Sequence, residues 1–126
     1  MDTRTKIIDL EEARRIVRRG GLRTALVTGH FDPLLAGHAE RLEQIRRSHD
    51  ALVVVVLHPV SPILESGARA ALVAGLEAVD YVATCDAGEL PESDWTAAAI
   101  REEHADQRRL VALIQHVHAR QLAGVR

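Results

Sequence analysis

Apolar positions along the chain fall into short blocks whose period alternates between that of a strand and that of a helix. Asp9-Leu10-Glu11-Glu12 carries an acidic N-cap with glutamate three residues on, and Ala13, Ile16 and Val17 follow at helical spacing until Gly20-Gly21. A first helix is predicted over about Leu10 to Arg19. Thr24 to Thr28 is a short apolar run ending at Gly29 and reads as a buried strand. After a polar turn around Asp32-Pro33, His38 to Arg47 places Ala39, Leu42 and Ile45 on one helical face. Ala51 to Leu57 is rich in β-branched residues and apolar on both faces, as in a strand inside a parallel sheet. Pro59 and Pro62 interrupt the chain. A helix from about Ser66 to Ala78 presents Ala70, Val73, Ala74 and Leu76, and Val79 to Thr84 reads as a third strand. Pro91 and Ser93-Asp94 announce another helix start. Leu110, Leu113, Ile114 and Val117, at i, i+3, i+4 and i+7, make the last third an amphipathic helix ended by Gly124.

Strands alternating with helices at this spacing give an α/β fold. It is a short Rossmann-like parallel sheet of about three strands with right-handed crossovers, flanked by helices and followed by the C-terminal amphipathic helix. So short a sheet leaves an edge exposed, with the first strand near it. A homodimer is therefore expected, the second copy covering that edge or the C-terminal helix. At 126 residues the chain is expected to be a single domain, 1–126.

Composition narrows the function. The chain is 47% hydrophobic and 27% charged, which fits a globular protein and excludes a disordered one. One Phe, one Tyr and one Trp provide almost no platform for stacking bases. The formal net charge of −2 supplies no basic field for a polyanion, so no nucleic-acid partner is expected. Cys85 is the only cysteine, which excludes an internal disulfide and fits a reducing cytoplasm. The longest apolar run, Ala51 to Leu57, is too short to cross a membrane, and the charged N-terminus does not read as a signal peptide.

The chemistry concentrates in Gly29-His30-Phe31-Asp32-Pro33-Leu34-Leu35-Ala36-Gly37-His38, between the first strand and the second helix. A loop from a parallel strand into a helix binds phosphates well, because the helix N-terminus offers unbonded amides and partial positive charge. Gly29 lets the backbone turn or approach a ligand closely. His38, at the helix start, can donate to a phosphate oxygen. The stretch is neither the glycine-rich dinucleotide fingerprint nor a Walker loop.

This segment resembles the signature G-x-F-D-x-x-H-x-G-H of the cytidylyltransferase-like nucleotidyltransferases. The likeness is to the nucleotidyltransferase domain of ADP-heptose synthase and to glycerol-3-phosphate cytidylyltransferase. The match is at Gly29, Phe31, Asp32, Gly37 and His38, with Leu35 where the first signature histidine stands in the family. Ile45-Arg46-Arg47-Ser48-His49-Asp50 is similar to the family's A-K-x-x-G-D stretch, with Arg46 at the lysine position. Pro62-Ile63, Arg69-Ala70 and Leu76-Glu77-Ala78-Val79-Asp80-Tyr81-Val82 resemble its R-P-I…R-A…L-E-x-V-D-x-V segment, with Ser61 in place of the first arginine. The resemblance covers about residues 6–86, leaving about 93–122 as a C-terminal helical region. The family continues after the third strand with two more strands and an S-T-T type helix start, and no such segment is evident here. Ser93-Asp94-Trp95-Thr96 is either a short substitute for it at a helix N-terminus or a plain N-cap, and the N-cap explains it better.

The resemblance implies transfer of a nucleotidyl group from CTP or ATP, with Mg²⁺, to a phosphorylated sugar or polyol. Gly29, His30, Phe31, Asp32, Gly37, His38, Arg46 and Arg69 would bind nucleotide or phosphate, and His38 would be catalytic. Leu35 cannot donate a hydrogen bond, and losing one such donor costs on the order of 10²–10³ in rate. The activity is accordingly reduced or lost on this reading. The alternative is a non-catalytic nucleotide- or phosphate-binding or homo-oligomeric module of the same descent.

Individual residues admit plainer roles. His30 lies either beside the phosphates, partly replacing the missing donor, or in solvent. Asp32 is expected to fix the loop by accepting backbone amides rather than to hold a metal. Phe31 is expected in the core. Arg69 binds phosphate, or else lies on a solvated face or in a helix ion pair. His116 and His118 point in different directions on a helix and cannot chelate one metal; with His104 they are surface or interface residues. Arg14, Arg15, Arg18 and Arg19 form a solvated face, and Cys85 is a small hydrophobe at a strand end.

Overall fold

The structure is a computed structural model that describes residues 2–19, 22–103 and 114–121. Four parallel strands form one sheet in the order β3-β2-β1-β4: β1 (Thr24–Gly29), β2 (Ala51–Val56), β3 (Tyr81–Thr84) and β4 (Ile100–Arg101). Helices α1 (Leu10–Arg18), α2 (Ala36–Arg47) and α3 (Ser66–Ala74) pack on its faces, and residues 114–121 form a further helix, α4.

β2 explains the arrangement. All six of its residues are buried, which a strand achieves only with covered faces and a neighbour on each side. Leu52, Val54 and Val56 join Ala25, Val27, Leu42, Ile45, Ala70, Val73 and Val82 under α2 and α3. Val53 and Val55, pointing the other way, meet Ala13 of α1 together with Leu26, Leu57, Ala83 and Leu90. Each buried Val, Leu or Ile among them contributes about 1.5–3 kcal/mol of apolar burial. The register runs Thr24 to Ala51 through Gly29 to Val56, so β1 and β2 end level and place their following loops side by side.

Helix α1 starts as the capping pattern predicts, Asp9 accepting the Glu12 amide at 2.7 Å. Helix α3 ends at Ala74, four residues before the expected Ala78. The Gly75 amide there reaches the Ala71 and Leu72 carbonyls, and the chain turns through Val79 into β3. The Asp80 carboxylate accepts the Leu52 amide at 2.8 Å and holds that turn against the start of β2.

β4 is a correction to the three-strand expectation. It lies parallel to β1, with Val27 opposite Ile100 and Thr28 opposite Arg101, and the Glu102 amide donates to the Thr28 carbonyl at 2.8 Å. Thus β1 is an interior strand. The other edge, β3, is met by the N-terminal segment, where Ile7 bridges to Val82 and the Ile8 amide donates to the Val82 carbonyl at 2.8 Å. Ser93-Asp94 opens only a 3₁₀ turn (Asp94–Thr96), not a helix. Buried Thr96 closes it locally, accepting the Ser93 amide at 2.8 Å and donating to the Pro91 carbonyl at 3.0 Å. The residues between β3 and β4 fold back over the α1 side of the sheet, burying Leu90 and part of Trp95.

Helix α4 is exposed along its described length, Ile114 at 47% and Val117 at 44%. Leu110, Leu113, Gly124 and His104 lie outside the described residues. His116 and His118 are exposed on α4. Among the described residues no helix is long and apolar enough to cross a membrane.

Candidate functional site

At the carboxyl ends of β1 and β2 the surface opens into a cleft of about 420 Å³. Ligands of open α/β sheets bind at such strand ends. His30, Asp32, Pro33, Leu35 and His38 line one side, and His58, Pro59, Val60, Ser61 and Ile63 the loop after β2. Gly88, Glu89 and Glu103 complete the lining.

Helix α2 begins at Ala36, two residues before the expected His38, because the Leu35 carbonyl already accepts the His38 amide at 3.0 Å and the Ala39 amide at 3.3 Å. His38 closes the reverse half of the cap: its Nδ1 accepts the Leu35 amide at 2.8 Å. This is the task a glutamate performs in a capping box. An accepting Nδ1 leaves the proton of the neutral ring on Nε2, so the ring is a donor at that atom. Leu35, as N-cap, contributes no side-chain bond. The amides of Ala36 and Gly37 stand in the first turn, where a helix supplies no intrahelical acceptor.

The loop before α2 is tied down from three directions. Phe31 is 1% exposed, has φ of 50°, and meets the His38 ring edge-on with centroids 5.2 Å apart. A bulky residue in the left-handed region is uncommon and persists only where its surroundings enforce it. Asp32 accepts the amides of Ile63 and Leu64 at 2.7 and 2.8 Å, clamping the loop after β2 to the loop after β1. The peptide bond from Asp32 to Pro33 is cis.

Arg69 is fully buried, its Nη1 donating to the carbonyls of His30 at 2.9 Å and Leu57 at 2.5 Å and its Nε to Leu64 at 3.1 Å. It lies on neither a solvated face nor in a helix ion pair, and it does not line the cleft. It forms the floor that joins the three loops around it. Its Nη2 is buried without a hydrogen-bond partner, and no carboxylate neutralises it among the described residues. Arg46 is elsewhere. Eight residues of helix separate it from His38, about 12 Å of rise, and its guanidinium bonds Asp80 and the His49 carbonyl at 3.0 and 2.8 Å. There it braces the amino ends of the strands, outside the cleft. Gly29 ends β1, and Gly37 is exposed in the first turn of α2.

Sequence reasoning passed over His58, Glu89 and Glu103. Glu103 is 7% exposed, and its carboxylate accepts the Thr28 hydroxyl. Neighbouring Glu102 pairs instead with Arg41 at 3.0 Å. Only the placement of β4 beside β1 brings these glutamates to the strand ends. No arginine or lysine lines the cleft among the described residues, so its possible cationic side chains are imidazoles.

A profile of the cytidylyltransferase-like family matches residues 26–122. The chain belongs to that family. The bifunctional protein HldE of Methylococcus capsulatus is 32% identical over 114 residues, covering 79% of this chain and 23% of that protein. Phosphopantetheine adenylyltransferase of Clavibacter michiganensis is 42% identical over 53 residues, covering 40% of this chain and 32% of that enzyme. The crystal structure of the lipopolysaccharide core biosynthesis protein from Thermoplasma volcanium superposes with a TM-score of 0.51 at 31% identity, covering 56% of this chain and 63% of that one. The chain therefore spans less than a quarter of the length of the HldE relative. The family match reaches through β4 into α4, beyond the 6–86 stretch that the motifs alone support.

Proposed function

We propose that this cytidylyltransferase-like chain transfers a nucleotidyl group from CTP or ATP to a phosphorylated sugar or polyol. An acceptor phosphate oxygen bonds the α-phosphorus, the α–β phosphoanhydride bond breaks, and pyrophosphate leaves with that electron pair. The acceptor phosphate is already anionic near neutral pH, so no general base is needed and the protein's task is alignment and charge stabilisation. The observation that carries the reading is His38: a buried ring whose Nδ1 is occupied by the Leu35 amide, held at the first turn of α2 on the cleft wall. On this reading the imidazole on the cleft wall and the α2 amides form the phosphate end of the site. Arg69 adds an unneutralised positive charge beneath the loops, which favours an anion above them. Gly29, Phe31 and Asp32 shape the loop that delivers these groups, and His30 lies beside them on the cleft wall.

No cluster of three or more His, Cys, Asp or Glu suited to a metal occurs among the described residues, and both Asp32 oxygens are committed to amides. The side chains described do not make a Mg²⁺ cage. The ion belongs on this reading to the incoming triphosphate, whose charge it would partly neutralise. The single cysteine supports a cytoplasmic setting.

A second reading, a binder without turnover, is favoured by Leu35, which lines the cleft where a polar donor would assist transfer. Calorimetric titration with CTP and ATP, each with Mg²⁺, tests the shared phosphate site. Micromolar binding of one nucleotide, lost in His38→Ala, is expected. No heat at millimolar nucleotide overturns both readings. Pyrophosphate release on adding glycerol 3-phosphate or a sugar phosphate then separates transfer from binding alone.

A further inference from the structure

No permanent cation lines the cleft among the described residues, yet three carboxylates do. Asp32 comes from the loop after β1, Glu89 from the segment after β3, and Glu103 from just past β4. While its imidazoles are neutral this lining is acidic. A phosphate chain entering it meets repulsion that the buried Arg69 guanidinium, beneath the loops, offsets only in part. Imidazole is the side chain that ordinarily gains its charge between pH 5 and 8.

Three imidazoles line the cleft, and they are not equivalent. His38 uses Nδ1 to accept the Leu35 amide, so a second ring proton would cost the cap of α2. His30 is half-buried, and its carbonyl receives Arg69 Nη1 at 2.9 Å. His58 differs from both. Its backbone is held, the amide donating to the Ala87 carbonyl at 3.0 Å and the preceding Leu57 carbonyl accepting Arg69 Nη1 at 2.5 Å. Its side chain is exposed and makes no hydrogen bond or ion pair among the described residues. Such a ring takes up or releases a proton without breaking any contact of the fold.

We propose that His58 is the phosphate-binding cation of the cleft, and that it takes a proton from solvent as the anionic ligand arrives. The inference rests on the phosphate site of the nucleotidyl-transfer reading. To it are added the residue that supplies the charge and the pH dependence that follows. The protonated ring has two N–H donors, one of which meets a phosphate oxygen. An opposite charge within about 4–6 Å favours the charged form by about 1–3 pH units. Binding is therefore tightest at low pH, where the imidazole is already charged, and weakens as pH rises through the value raised by the ligand. From an ordinary imidazole, that range corresponds to uptake of about 0.4–0.9 proton near pH 7.5 and a fall in affinity of about 4- to 15-fold from pH 6.5 to 8.

Calorimetric titration of the full chain with CTP and with ATP, in Hepes and in Tris near pH 7.5, reads the proton directly, because the two buffers differ in the heat of giving it up. Saturating Mg²⁺ keeps the ligand's own phosphates deprotonated. Wild type should show the uptake and the pH dependence above. In His58→Gln the uptake should fall below about 0.1 proton and the affinity should become nearly flat with pH. His58→Lys, charged throughout this range, should take up no proton and should hold the nucleotide at pH 8 more tightly than wild type does. Nucleotide binding without proton uptake in wild type overturns the proposal and leaves the phosphate site standing. So does uptake that survives in His58→Gln, whether or not His30→Gln then removes it. Absence of nucleotide binding at any pH overturns the phosphate site itself, and the proposal with it.

Discussion

Asp32→Ala isolates the contribution of the clamp over the cleft. The carboxylate accepts two backbone amides, Ile63 at 2.7 Å and Leu64 at 2.8 Å. Hydrogen bonds to a charged group contribute about 1.5–3 kcal/mol each when shielded. The Ile63 contact is exposed and the Leu64 contact part-buried, so solvent compensates much of the first and some of the second. A combined loss of about 2 kcal/mol results. Neither bond belongs to the sheet, so the loss falls on local opening of the loop after β2 rather than on global unfolding. At 1.4 kcal/mol per factor of ten, 2 kcal/mol lowers protection of the Ile63 and Leu64 amides about 30-fold in native-state hydrogen exchange. Protection in β2, buried along its whole length, should change far less. Affinity for any ligand of the cleft should fall in the same variant, since both walls lose their registration. Unchanged exchange at Ile63 and Leu64 would refute the reasoning, as would an equal loss of protection in β2.

Arg69→Ala removes the donor to three loop carbonyls and leaves a cavity in the floor. Together these should cost at least about 3 kcal/mol in urea unfolding, and a midpoint within experimental error of wild type would contradict the assigned role. Leu35→His restores a polar group to the cleft wall, and nucleotide affinity or transfer should rise; no change in either would mean that the cleft does not receive phosphate. We expect a homodimer that covers the exposed Ile114 and Val117 of α4, so sedimentation should show a dimer in wild type and a monomer in Ile114→Asp/Val117→Asp. A wild-type monomer at high concentration would contradict this.

The α/β architecture was legible in the sequence because its signal is strong. β2 is six consecutive apolar residues, and the amphipathic repeats of α1 to α3 set the layers around it. β4 was not, since Ile100-Arg101 is too short for a period and is recruited by pairing with β1 rather than by its own preference. The same blindness hid Glu103, an acid in a run of charges until the sheet places it. Arg69 was singled out by motif, yet its spacing held more than that. It shares the helical face of Ala70, Val73 and Ala74, all buried, which points inward rather than to an exposed phosphate contact. Arg46 matched a motif position, but the length of α2 carries it to the far end of the strands. Asp32 was expected to bind backbone amides, and it binds two belonging to a different loop, a partner that only the level ends of β1 and β2 provide.

β4 is joined to its neighbour by two register positions, whereas β1 and β2 share six. The wall that carries Glu103 can therefore undock while the rest of the sheet stays folded. Apparent affinity in the cleft then equals intrinsic affinity multiplied by the docked fraction. Substitutions at Ile100, which is not part of the cleft lining, would tune binding through that fraction. The docking equilibrium of a two-residue strand becomes a dial on the site, and ligand in turn holds the strand in place.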